Sequence, residues 1–133
     1  MSANAIIRWL LSTGRTYPTV GELQAALVEQ VVEHVPVDRL WCGTTVLHPQ
    51  AAAYLWILQR NKPPVAHELA YSLFAQMEES DSPVRRLKLG APHVRFRHPD
   101  GEEVSDVAAL WREGYRDLYG QSMRFRGAWV GGI

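Results

Sequence analysis

Residues 38–60 read DRLWCGTTVLHPQAAAYLWILQR, and the fold turns on how this stretch is taken. Its first part, DRLWCGTTVL (38–47), alternates loosely and is rich in β-branched and aromatic residues; AAYLWILQR (52–60) does the same after a break at HPQ. The direct reading is two antiparallel strands joined by a tight connection. Pro49 has no N–H to give to a sheet ladder and biases His48 towards extended backbone, so the pairing ends there. His48 then falls at the rim of the sheet, where its imidazole either ties the connection to neighbouring backbone or faces a ligand and senses pH.

Upstream, Ile6, Ile7, Leu10 and Leu11 share a helical face within AIIRWLLST (5–13), with Gly14 suited to a left-handed stop. Thr19 and Glu22 have the spacing of a capping box, and Val20, Leu23, Leu27 and Val31 follow as an apolar stripe up to Pro36. Downstream of NKPP (61–64), Leu69, Leu73 and Met77 are spaced by four and predict a third helix over Val65 to Met77. VRRLKLGAPHVRFRHPDG (84–101) reads as a hairpin. In it Leu87 and Leu89 alternate with Arg86 and Lys88, Val94 and Phe96 alternate with Arg95 and Arg97, and GAP makes the turn. Ser105 caps a helix running to about Leu118, and SMRFRGAWVGGI (122–133) returns to strand character.

This order predicts an α+β sandwich: an antiparallel sheet with helices at the N-terminus and further helices packed on one side. Residues 1–36 would be the helical N-terminal segment and 37–133 the sandwich, all within a single domain, as expected for 133 residues. Apolar residues run right up to Ile133, where chains more often trail off in polar ones, so a segment of a longer protein and a short natural product are both open readings. Hydrophobic residues make up 47% and charged residues 21%, too apolar for disorder and too interrupted by charge for a membrane span. Fourteen basic residues balance fourteen acidic ones, so no global field would hold the chain on nucleic acid or an anionic membrane. The single cysteine, Cys42, excludes an internal disulfide, and no basic stretch followed by a long apolar run marks a leader, which predicts a cytoplasmic protein.

Candidate chemistry is sparse. His34, His48, His67, His93 and His98 show no short repeating spacing, and Cys42 and His48 are about 20 Å apart on an extended strand, so neither metal nor haem is expected. No nucleophile elbow surrounds Cys42, which reads as a packed strand residue, and WVGGI lacks the helix, Lys and Ser/Thr of a phosphate loop. Arg86, Lys88, Arg95 and Arg97 would place four cations on one sheet face, either to receive a nucleotide phosphate or an acidic partner, or as a solvated surface partly neutralised by Glu78, Glu79 and Asp81. Aromatics placed to stack on bases are not interleaved with these arginines, which weakens a nucleic-acid reading. Trp41, Tyr54 and Trp56 line a small-ligand pocket or belong to the core.

The same residues carry a resemblance. An opening WLL before an amphipathic helix, VDRLWCGTTVLHPQ, a strand with YLWILQR, DSPVRRL, and a helix ending EGYRDLYG together resemble the N-terminal regulatory region that precedes some bacterial class III adenylate or guanylate cyclase domains. The matches fall on Trp9, Arg39, Leu47, His48, Pro49, Trp56, Ser82, Pro83, Gly114 and Asp117. Val46 stands where the family has threonine, and Leu118 where tyrosine follows the aspartate, with Thr45 and Tyr119 each one position away. The resemblance implies a GAF-like sandwich that is a non-catalytic sensor, works as a homodimer and regulates a downstream cyclase domain. No cofactor is named by it. A small-molecule ligand would meet Trp41, His48, Tyr54, Trp56, Arg86, Arg95 and Arg97. A free-standing small-molecule binding protein, and an enzyme using Cys42 or His48, are the alternatives.

Overall fold

The computed structural model describes residues 3–47 and 49–133; His48 and the side chains of Ala3, Met77 and Glu78 lie outside the described residues. Helices and antiparallel strands are mixed along the chain, as an α+β reading requires. The chain divides into two compact units, Met1–Gly43 with Tyr54–Glu68, and Thr44–Ala53 with Leu69–Ile133. Among the described residues no helix is long and apolar enough to cross a membrane.

The first unit opens with α1 (Ala3–Leu11), a 3-10 turn (Gly14–Thr16) and α2 (Val20–His34). The capping box is formed: Thr19 Oγ1 accepts from the Glu22 N–H at 3.2 Å and donates to Glu22 Oε2 at 2.9 Å. Gly14 is not the left-handed stop the sequence predicts. It is buried at the head of the 3-10 turn without a left-handed φ, and a Cβ there would stand 3.4 Å from Leu23 Cδ1 and 3.5 Å from Leu10 Cδ2, in ordinary van der Waals contact.

Strands β1 (Arg39–Thr45), β2 (Ala53–Gln59) and β3 (Val65–Leu69) follow, in the spatial order β3-β2-β1. The predicted pair is present. The Arg60 N–H donates to Asp38 O at 2.9 Å and the Val46 N–H to Ala52 O at 3.1 Å, so both ends of the ladder give one antiparallel register, with Cys42 opposite Trp56 and Trp41 opposite Ile57. The third predicted helix is corrected: Val65–Leu69 is β3, and the helix α3 spans Tyr71–Glu79. Leu69, Leu73 and Met77 thus belong to two elements. After Pro63 and Pro64, which disfavour helical backbone in the residue before each of them, VAHEL runs as a strand, and Ala70 takes the N-cap position without a side-chain hydrogen bond.

In the second unit α3 is followed by α4 (Pro83–Lys88), β4 (His93–Arg97), α5 (Ser105–Arg112), β5 (Asp117–Phe125) and β6 (Ala128–Gly132). The predicted hairpin over 84–101 is therefore half wrong: its first arm is a helix. Ser82 caps it by accepting from the Arg85 N–H at 3.0 Å, and Pro83 supplies the preset φ of a first turn. Leu87 is 1% exposed while Leu89 is 69% exposed, so their alternation with basic residues never marked one face. Helix α5 stops at Arg112 rather than near Leu118, and Ser105 is its first residue, with Val104 at the cap.

The last segment is a hairpin, not one strand. Arg126 (φ 50°) and Gly127 (φ 81°) form a two-residue turn with both residues left-handed, the twist that β-hairpins favour. Strands lie in the order β6-β5-β4, with Val94 opposite Gly120 and Phe96 opposite Leu118. The core of this unit is Leu87, Val94, Phe96, Val104, Val107 and Trp111, and the Trp111 Nε1–H is satisfied by Asp100 O at 2.9 Å.

Gly101 is the tightest point of that core. Its φ is +81°, and a Cβ would fall 2.5 Å from the Phe96 ring and 3.0 Å from Val107 Cγ1. Gly101→Ala therefore combines a left-handed alanine with overpacking, and is expected to cost about 2–4 kcal/mol of unfolding free energy in urea titration; a change of a few tenths would contradict this packing.

Candidate functional site

The strand pair of the first unit sorts the predicted aromatics by pleat. Cys42 and Trp56 share the face turned to α2: Gln24 Nε2 lies 4.0 Å from Cys42 Sγ, and Trp56 Nε1 lies 3.8 Å from where a Gly21 Cβ would be. Tyr54 has the same parity as Trp56. Trp41 alternates to the opposite face, so the structure does not gather Trp41, Tyr54 and Trp56 around one space. All three are half-buried. Desolvation and then the adjacent Glu68 carboxylate, which also accepts a hydrogen bond from the hydroxyl, push the Tyr54 phenol above its ordinary value. His48 lies outside the described residues.

The arginines are also divided. Arg86, on α4, makes a two-pronged bond to Asp81 (Nε–Oδ1 3.0 Å, Nη2–Oδ2 2.7 Å) and sets its guanidinium 5.2 Å from the centroid of the Phe96 ring, on the core side of β4. Arg95 and Arg97 point the other way, because they alternate with the buried Val94 and Phe96. The predicted single face of four cations is thus corrected: Lys88 instead sits 4.6 Å over the Phe74 ring, and only Arg95 and Arg97 share a face. The cause is α4, which removes half of the supposed hairpin from the sheet.

Register supplies Arg95 and Arg97 with a partner that sequence spacing concealed. Arg95 binds Asp117 of β5 through Nε–Oδ1 at 3.1 Å and Nη2–Oδ2 at 2.6 Å, and Arg97 Nε lies 3.8 Å from the same carboxylate. The hydrogen bond from Arg95 holds the Asp117 carboxyl below its ordinary value despite some desolvation, so this pairing persists at neutral pH and is lost as acid protonates the carboxylate. Beside it, His93 stacks on Tyr119 with centroids 6.0 Å apart and planes at 19°, and the Tyr119 hydroxyl donates to Gln121 Oε1 at 2.7 Å. In the sequence Tyr119 stands out only as a tyrosine shifted by one from its place in the resemblance, and Gln121 not at all; the cue to the pairing is that YGQ alternates across from HVR once the register is known.

Cys42 is built as a packing residue. It is 1% exposed, and burial raises its thiol to about 11 against an ordinary 9.0, only partly countered by the Gln24 amide. A thiol at that value is protonated at neutral pH and is a poor nucleophile. Among the described residues no three His, Cys, Asp or Glu side chains are grouped so as to hold a metal ion. No family model, curated protein or solved structure matches this chain.

The raised thiol has a stability consequence. The folded state keeps a proton that the unfolded chain releases above pH 9, so this contribution is intact below that pH and is lost as pH rises through about 11, a total of about 2–3 kcal/mol. Denaturant titrations from about pH 8 to 11 should show wild-type protein losing that much more stability than Cys42→Ala. Parallel pH profiles for the two proteins would show that the thiol is not desolvated.

Proposed function

We propose that this chain is a regulatory sensor region of a class III nucleotide cyclase: a GAF-like module, not catalytic by itself, that works as a homodimer and shifts a downstream catalytic domain between two states. The observation that carries the reading is where the residues of the resemblance fall in the local structure. Arg39 opens β1, Trp56 packs from β2 beside α2, Ser82 and Pro83 start α4, Gly114 (φ +100°) follows α5, and Asp117 opens β5 and binds Arg95. Each of these is a cap, a turn or a pairing position, which is where a fold constrains residue identity most strongly. The mixed helices and antiparallel strands are compatible with a GAF-like architecture.

Regulation is a coupling free energy, and couplings of ordinary size change an equilibrium about fivefold or more. Cyclase activity of a polypeptide carrying this region ahead of a catalytic domain is therefore expected to change by at least about fivefold when residues 1–133 are removed. Activity indifferent to that removal would contradict the regulatory reading. Native mass spectrometry of the isolated chain tests the assembly: a species of twice the chain mass is expected, and a strict monomer at every concentration would remove the homodimer from the proposal.

A further inference from the structure

The outward face of β4 and β5 carries a pattern that the regulatory reading does not use. Because Val94, Phe96, Leu118 and Gly120 turn inward, His93, Arg95 and Arg97 of β4 and Asp117, Tyr119, Gln121, Met123 and Phe125 of β5 share the other face. On it Tyr119 is 55% and Phe125 64% exposed, large apolar rings left to water on either side of a register shift between Met123 and Arg124. Tyr119 has His93 stacked beside it, and the Arg126 guanidinium lies 5.4 Å from the centroid of the Phe125 ring. Asp117 is the single acidic residue in β4, β5 and β6. Arg95 binds that carboxylate and Arg97 lies near it, while Arg126 stands beside Phe125 at the other end of β5, so the two strands and their turn bring three guanidinium groups to the face against one carboxylate of their own.

Charge decides among possible occupants. A second copy of this face would bring like charges together, which opposes a symmetric pairing. A free small molecule favours a concave site that buries most of its surface, whereas these rings stand open on a sheet. Open aromatic platforms flanked by cations suit a flexible polyanion with planar groups, and a duplex keeps those planes stacked out of reach. Tyr119 and Phe125 are six residues apart on one strand, about 20 Å at strand rise, room for a short run of nucleotides.

We propose that the face formed by His93, Tyr119 and Phe125 with Arg95, Arg97 and Arg126 binds single-stranded nucleic acid without sequence preference. Bases stack on the rings and phosphates meet the arginines. Along β4 the aromatic residue between the arginines, Phe96, turns inward and cannot stack on a base, but the register sets Tyr119 directly opposite Arg95 and supplies an exposed ring from the neighbouring strand. Asp117 fixes the Arg95 guanidinium in plane through its two bonds, and at the same time offsets part of the attraction.

The test is fluorescence anisotropy of a fluorescein-labelled oligothymidylate of about ten nucleotides, a length within the usual site size of such platforms. Wild-type protein is expected to give a saturable rise with a midpoint between about 1 and 100 µM at physiological salt. Tyr119→Ala and Phe125→Ala should each weaken binding about tenfold or more. Arg97→Ala should also flatten the dependence of log affinity on log salt by about 0.7, and Asp117→Asn should tighten binding severalfold. Because these side chains are on the surface, circular dichroism of each variant is expected to match wild type. No anisotropy rise up to about 100 µM, binding that both aromatic variants leave unchanged, or a preference for duplex over single strand would each overturn the proposal.

Discussion

The second unit depends on how closely Leu87 approaches the sheet. A Cβ on Gly120 would lie 3.3 Å from Leu87 Cδ1 and 3.1 Å from Val94 Cγ2, and a Cβ on Gly132 would lie 3.5 Å from the same leucine methyl. Two strands therefore present bare backbone where α4 lands, and Leu87 becomes almost completely buried. The helix is held at both ends: Ser82 satisfies its first turn, and Arg124 Nη2 donates to Leu87 O at 2.9 Å and to Lys88 O at 3.4 Å, placing a cation at the carbonyl end of the helix.

That seating determines what the opposite face can be. With Leu87, Val107 and Trp111 packed against Val94, Phe96 and Leu118, the inner face of β4 and β5 is fully used, and strand alternation leaves Arg95, Arg97, Tyr119 and Phe125 outside. Exposed ion pairs such as Arg95–Asp117 contribute little to stability in water, so that pair is better understood as fixing a side-chain direction than as holding the fold. The structure pairs two of these arginines locally: Arg86 with Asp81 beside α4, and Arg95 with Asp117 across two strands.

The parts of the fold legible in the sequence were those written in short-range chemistry. The Thr19–Glu22 cap fixes the start of α2, and β-branched and aromatic alternation on either side of HPQ gives β1 and β2 to within a residue or two. Two misreadings came from patterns that short elements share. A leucine every second residue in VRRLKL imitates a strand, although the Ser-Pro start carried the helix signal; a leucine every fourth residue from Leu69 imitates a helix that in fact spans β3 and α3. The turn at Arg126 and Gly127 was hidden because arginine is an uncommon residue at positive φ. Of the candidate residues, Arg95 and Arg97 could be placed together from β4 alone, whereas the contribution of Asp117, Tyr119 and Phe125 depends on a register that sequence separation does not reveal.

The central structural claim is that residues 83–88 form a helix whose Leu87 sits on Gly120 and Gly132, which is what separates Arg86 from Arg95 and Arg97. The most direct measurement is a NOESY spectrum of isotope-labelled protein. Helical carbon shifts over 83–88, together with cross-peaks from the Leu87 methyl groups to the α-protons of Gly120 and Gly132, are the result this account predicts. Extended-chain shifts across that segment, with no Leu87 contact to either glycine, would return all four basic residues to one hairpin and contradict it.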